Sequence, residues 1–261
     1  MDQLLSSEMF QENWFRAIIW CLISGSALLI GSYFGIKDKF THSWIARIMA
    51  FGSGSLLGLI SIDMTLMAKQ TTGTINTVIG LLLGASVFCL ANWLLSKKGA
   101  KERKRCGECV EQKTEKDSSG SGLAIACGTM LDAIPEGLIL GIDIAQNGKP
   151  GIATILGFFV SNFPESLSAS TGMIKAKRSK KYINAIWLGA ILMTIITSQL
   201  GVFLFPILPE TYKGLIEAIA GGLLFAMVTE TMIPEAFDHS PDFSGVLTVL
   251  GFSILALTAA Q

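Results

Sequence analysis

Histidine is almost missing from this chain, which has only His42 and His239 in 261 residues. Charge is scarce as well, at 15% against about 25% in ordinary soluble domains. The 20 Lys and Arg balance the 20 Asp and Glu, so there is neither the basic excess of a nucleic-acid binder nor the acidic excess of a solvating tail. The five cysteines, Cys21, Cys89, Cys106, Cys109 and Cys127, form no secreted disulfide ladder, and three of them fall inside apolar stretches. What fills the chain is 51% hydrophobic residues arranged in long runs. These features describe an all-α membrane protein, one transmembrane domain over 1–261, whose partner is the lipid bilayer and not nucleic acid; a homodimer is compatible with them.

The apolar runs lie near 14–36, 45–68, 74–96, 122–146, 151–174, 182–205, 215–237 and 243–260, each close to the roughly 20 residues a membrane helix needs. Eight transmembrane helices are expected. Residues before Asn13 carry Asp2, Glu8 and Glu12 instead of a basic region, so the first run reads as a span and not as a cleaved signal. All of the Lys and Arg except Arg16, Lys69, Lys149 and Lys213 fall in connections on one side of such a bundle. Cations are retained on the cytoplasmic side, so both termini are expected on the other side of a plasma (inner) membrane. The stretch 97–121 is polar and aperiodic, and is expected to be a mobile cytoplasmic loop between the third and fourth helices. Gly31/Gly35, Gly54/Gly58, Gly80/Gly84 and Gly137/Gly141 are spaced to let helix backbones approach, which reads as bundle packing.

The chemistry lies in acids placed where they are costly. Asp132, Glu136 and Glu165 fall near the centres of the fourth and fifth spans, where each ionised acid costs roughly 3 kcal/mol. No Lys or Arg is expected at that depth, so protonation or a cation from outside the protein must neutralise them. Asp132 and Glu136 share one helix face, as do Asn162 and Glu165. The turn Asn147-Gly148-Lys149-Pro150 should make the two helices antiparallel neighbours and bring the four side chains to one level. Thr129, Ser161, Ser166 and Ser168 add oxygens to the same two helices. Asp143 and Asp63 would extend the cluster towards an entry, and Glu230 and Glu235 towards an exit; Glu235 is expected to reach water at the interface.

A Pro-Glu pattern appears three times, in D-A-I-P-E-G, S-N-F-P-E-S and E-T-M-I-P-E-A. Proline inside a helix frees the carbonyl four residues back, here those of Leu131, Val160 and Glu230. Interrupted membrane helices use such oxygens to bind ions.

At these motifs the chain resembles the ZIP family of divalent metal transporters, which carries Pro-Glu-Gly motifs on its fourth and fifth helices and an Ile-Pro-Glu on its seventh. The resemblance implies an eight-helix bundle in which helices 4 and 5 enclose the metal site, with Asp132, Glu136, Asn162, Glu165 and Glu230 as metal-binding residues. It implies a transporter and not an enzyme, with no prosthetic group and with Zn²⁺, Mn²⁺ or Fe²⁺ as cargo moved towards the cytoplasm. Asp132 stands where the family has histidine, Ala133 where it has asparagine, and Ser198 and Gln199 where its sixth helix supplies glutamate. With Met130, Met227 and Cys127 as the only soft candidates, the oxygen-rich set suits Mn²⁺, Fe²⁺ or Mg²⁺ at least as well as Zn²⁺.

Two other readings compete. An intramembrane hydrolase is opposed by the lack of a Gly-x-Gly-Asp signature and of membrane histidines. A transport-inactive scaffold or metal sensor of the same fold is the alternative that the substitutions leave open. Cys106-Gly-Glu-Cys109 is a single C-x-x-C without a second pair, and reads as two free thiols.

Overall fold

The computed structural model describes residues 7–101, 103, 104, 112, 120–238 and 242–259. His239, Cys106 and Cys109 lie outside the described residues, as do both chain ends. Helices form at all eight apolar runs: α1 (Ser7–Ile36), α2 (His42–Gly58) continuing into α3 (Thr65–Thr72), α4 (Thr74–Leu95), α5 (Ser121–Asn147), α6 (Ile152–Lys175), α7 (Lys180–Leu204), α8 (Glu210–Met227) continuing into α9 (Ile233–Asp238), and α10 (Ser244–Ala259). Among the described residues six stretches are long and apolar enough to cross a membrane: 12–36, 42–72, 74–100, 121–147, 180–207 and 212–238. The Ser244–Thr258 stretch is apolar but shorter. α6 carries Asn162, Pro164, Glu165 and several hydroxyl residues, which dilute its hydropathy at the place where function is expected.

The helices pair as α1 with α6, α2 with α10, α4 with α8 and α5 with α7. Each pairing uses one of the four glycine spacings: a Cβ on Gly31, Gly54, Gly84 or Gly141 would run into the carbonyl of Phe163, Thr248, Ile219 or Ser198. The small residues therefore act in backbone packing, as expected. Leu82, Val87 and Leu90 of α4 are exposed, an apolar surface suited to hydrocarbon.

The α5–α6 relation differs from expectation. Gly148 takes the left-handed conformation that closes α5 (φ 71°), and α6 restarts at Ile152 after Pro150. The two helices are nevertheless not a closely packed pair: α5 lies on α7 and α6 on α1. A gap lined by polar side chains separates them.

Two of the long rods are interrupted by wider, π-helical turns, Leu59–Met64 between α2 and α3 and Val228–Met232 between α8 and α9. Such turns frequently mark functional positions, and each holds an acid, Asp63 in the first and Glu230 in the second. The second is followed by Pro234, which lacks the N–H needed for a regular helical bond to Glu230.

Candidate functional site

The acids of α5 and α6 meet across the gap. Asp132, Glu136, Asn162 and Glu165 are all buried, none more than 4% exposed, and together with Thr129 they line one cavity. Asn162 donates from Nδ2 to Glu136 Oε2 at 3.1 Å and to Ser24 Oγ of α1 at 3.3 Å. This amide ties three helices together at the level of the acids.

The neutralising charge is the principal correction. It comes from the chain itself, from the stretch after α4. A further π turn, Ser96–Ala100, ends that helix, and Gly99 within it has φ 97°, a conformation open to glycine at little cost. Arg103 enters the gap and forks onto Asp132, with Nε 3.0 Å from Oδ2 and Nη2 2.8 Å from Oδ1. Lys104 Nζ lies 3.0 Å from Glu165 Oε1 and 3.4 Å from Asp132 Oδ2. Both cations are buried, at 2% and 3% exposure. Burial works against the Arg103 charge, but Asp132 beside it holds the guanidinium pKa above its usual value.

The segment is anchored as well as charged. Gln112 donates from Nε2 to the carbonyls of Arg103 and Ala169, at 3.0 and 3.2 Å. Ser168 Oγ is 2.7 Å from both the Lys104 carbonyl and Glu235 Oε1. Gly128 makes room, since a Cβ there would lie 2.6 Å from Arg103 Cδ. Its position one turn before Asp132 was a signal available in the sequence. With both cations in place about 10 Å³ of free space is left, less than a water molecule comfortably needs. Among the described residues no three His, Cys, Asp or Glu side chains converge closely enough to ligate one ion.

Other expected site residues are placed differently. Glu230 is exposed and accepts from Asn92 Nδ2 at 2.6 Å, while Asn92 Oδ1 accepts from Arg103 Nη1 at 2.6 Å; it is joined to Asp132 through two side chains and does not line the cavity. Glu235 does not reach water but is fully buried against Ser168. Ser161 and Ser166 donate to carbonyls of α6, and Ser198 packs against Cys21 and Gly141. Met227 is in the apolar core, Cys127 is exposed and the end of Met130 lies against Gly189, so none of the three soft candidates lines the cavity. His42, expected in a loop, is buried at the start of α2, with Nε2 2.5 Å from Lys175 Nζ.

A second group of acids gathers near the α5–α6 turn, where Asp63, Asp143 and Glu217 line a separate cavity. Glu217 was not singled out from sequence, because it falls two residues inside the start of an apolar run and resembles an interfacial acid.

No family model matches the chain. Along 258 residues, 92% of this chain and 91% of the other, it is 24% identical to an Arabidopsis thaliana protein named zinc transporter ZTP29.

Proposed function

We propose that this chain carries a divalent cation of the zinc, manganese or iron class across the membrane, towards the cytoplasm, through the carboxylate site between α5 and α6. One observation carries the reading: Asp132 and Glu165 already hold two buried positive charges, those of Arg103 and Lys104. A site whose acids are neutralised by the chain's own cations can accept a metal by exchange, the ion replacing their charge. Arg103 and Lys104 withdraw, and Asp132, Glu136, Asn162 and Glu165 take the ion, so the carboxylates are never left bare in hydrocarbon. Glu230, through Asn92, holds the far end of the Arg103 fork.

The printed name of the Arabidopsis relative and the near full-length alignment support a metal cargo. The oxygen donors support Mn²⁺ and Fe²⁺ alongside Zn²⁺. The eight rods read as eight spans, with the cation-rich connections on the cytoplasmic side. The same ion pairs also support a second reading, in which Arg103 and Lys104 stay in place and the protein is a transport-inactive scaffold or sensor.

Proteoliposomes loaded with a metal-sensitive dye separate these readings. Wild-type protein should admit Mn²⁺ or Zn²⁺, and Glu136→Gln or Glu165→Gln should lower the rate at least tenfold with the protein still inserted. Wild-type vesicles that admit no metal, together with a protein that binds it, would establish the sensor reading. Uptake unchanged in both variants would exclude this site as the route.

A further inference from the structure

Among the described residues, the acids of the cavity near the α5–α6 turn meet no such internal cation. Three helical rods supply its acids: Asp63 from the π turn between α2 and α3, Asp143 from the last turns of α5, and Glu217 from about two turns into α8. Asp143 is fixed, its Oδ2 accepting from Thr154 Oγ1 at 2.7 Å and from the Gly151 amide at 3.2 Å. Glu217 is 5% exposed. Its Oε1 accepts from Gln146 Nε2, whereas its Oε2 is buried with no hydrogen-bond partner among the described residues. Among the described residues no Lys or Arg forms an ion pair with Asp63, Asp143 or Glu217.

A buried carboxylate oxygen without a donor is costly unless the group is protonated or a cation meets it. The space beside Glu217 measures about 20 Å³, enough for one water molecule or one bare ion. Asp63 also lines a wider cleft of about 650 Å³, which opens beside Lys149 and Pro150 of the α5–α6 turn. Asp63 therefore lines both the wider cleft and the small cavity.

We infer that Asp63, Asp143 and Glu217 form a second site for a divalent metal cation, separate from the one between α5 and α6. Its donors are carboxylate oxygens on three different rods. Because the acids do not yet converge on one point, binding draws Asp63 and Glu217 inward onto the ion, while Asp143 stays tethered. Asp143 and Glu136 are on the same helix, seven residues apart, about 10 Å at 1.5 Å per residue. An ion at the second site is thus staged about two turns from the first. The staging role rests on the transport reading; the binding does not.

The test counts Mn²⁺ bound to chelator-treated, full-length protein in lipid nanodiscs, by calorimetric titration. The background is Glu136→Gln/Glu165→Gln, which disables the site between α5 and α6. That protein should still bind one Mn²⁺, and adding Glu217→Gln should raise the Kd at least tenfold. Asp63→Asn, at a half-buried position with less risk to folding, should do the same. Absence of Mn²⁺ binding in the background protein would overturn the inference, and so would a Kd indifferent to both substitutions, the behaviour of a protonated Glu217 that holds no ion. Failure of the transport reading shows elsewhere, as vesicle uptake unaffected by Glu136→Gln and Glu165→Gln.

Discussion

Two groups of acids share helix α5, and they differ in the counter-charge they meet. Between α5 and α6, Arg103 and Lys104 occupy the centre of the group at ion-pair distances and leave about 10 Å³ free. Near the α5–α6 turn, Asp63, Asp143 and Glu217 line about 20 Å³, and among the described residues they have no ion-pair partner and one carboxylate oxygen of Glu217 is unpartnered. Glutamates at comparable burial, Glu165 at 4% and Glu217 at 5% exposure, are thus paired in one place and left wanting in the other. Burial by itself does not say how an acid is used; the available counter-charge decides it.

The comparison makes predictions of opposite sign. The largest effect belongs to the paired site. Asp132→Ala strands the Arg103 guanidinium in the interior and should destabilise the metal-free protein by about 3–5 kcal/mol, the cost of breaking a buried pair from one side. The double variant Asp132→Leu/Arg103→Met should recover most of that loss. Denaturant unfolding of both variants measures it, and a double variant no better than the single one would show that the pair is not a unit.

A smaller effect concerns ligand type. Asp132→His exchanges a hard oxygen for nitrogen and should move the site towards Zn²⁺. A tenfold change in the Mn²⁺ to Zn²⁺ affinity ratio, about 1.4 kcal/mol, is expected in competition titrations. An unchanged ratio would mean that Asp132 serves only Arg103 and never touches the metal.

The smallest effect sharpens the contrast. In chelator, Glu217→Gln removes a charge that meets no cation among the described residues and should raise stability by about 1 kcal/mol, the low end of the cost of an unsatisfied buried group. A loss of stability on this substitution would mean that Glu217 already has a counter-charge, and the two regions would cease to differ.

Much of this was legible along the chain. The insertion cost of Asp132, Glu136 and Glu165 marked the site, and their helical spacing put Asp132 and Glu136 in one cavity, as found. The glycine spacings marked the helix contacts that formed. The identity of the counter-charge was hidden because Arg103 and Lys104 lie in a polar stretch without periodicity, and nothing local distinguishes a solvated cation from one returning into the bundle. The gap between α5 and α6 was hidden for a related reason: a short turn implies neighbouring helices, but the lateral packing of α1 and α7 sets how far apart they stand. Glu217 was passed over because an acid near the end of a span normally reaches water.

By itself the sequence determined what is local: where apolar runs become helices, which faces carry acids, and where prolines and glycines bend or narrow the backbone. Those properties depend on residues within a few turns of each other, and helical periodicity transmits them directly. The tertiary structure alone decided which charges meet. Arg103 reaches Asp132 across 29 positions, and Asp63, Asp143 and Glu217 line one cavity from three separate rods. Such pairings follow from the packing of whole helices, where desolvation and the available counter-charge together decide what a buried acid holds.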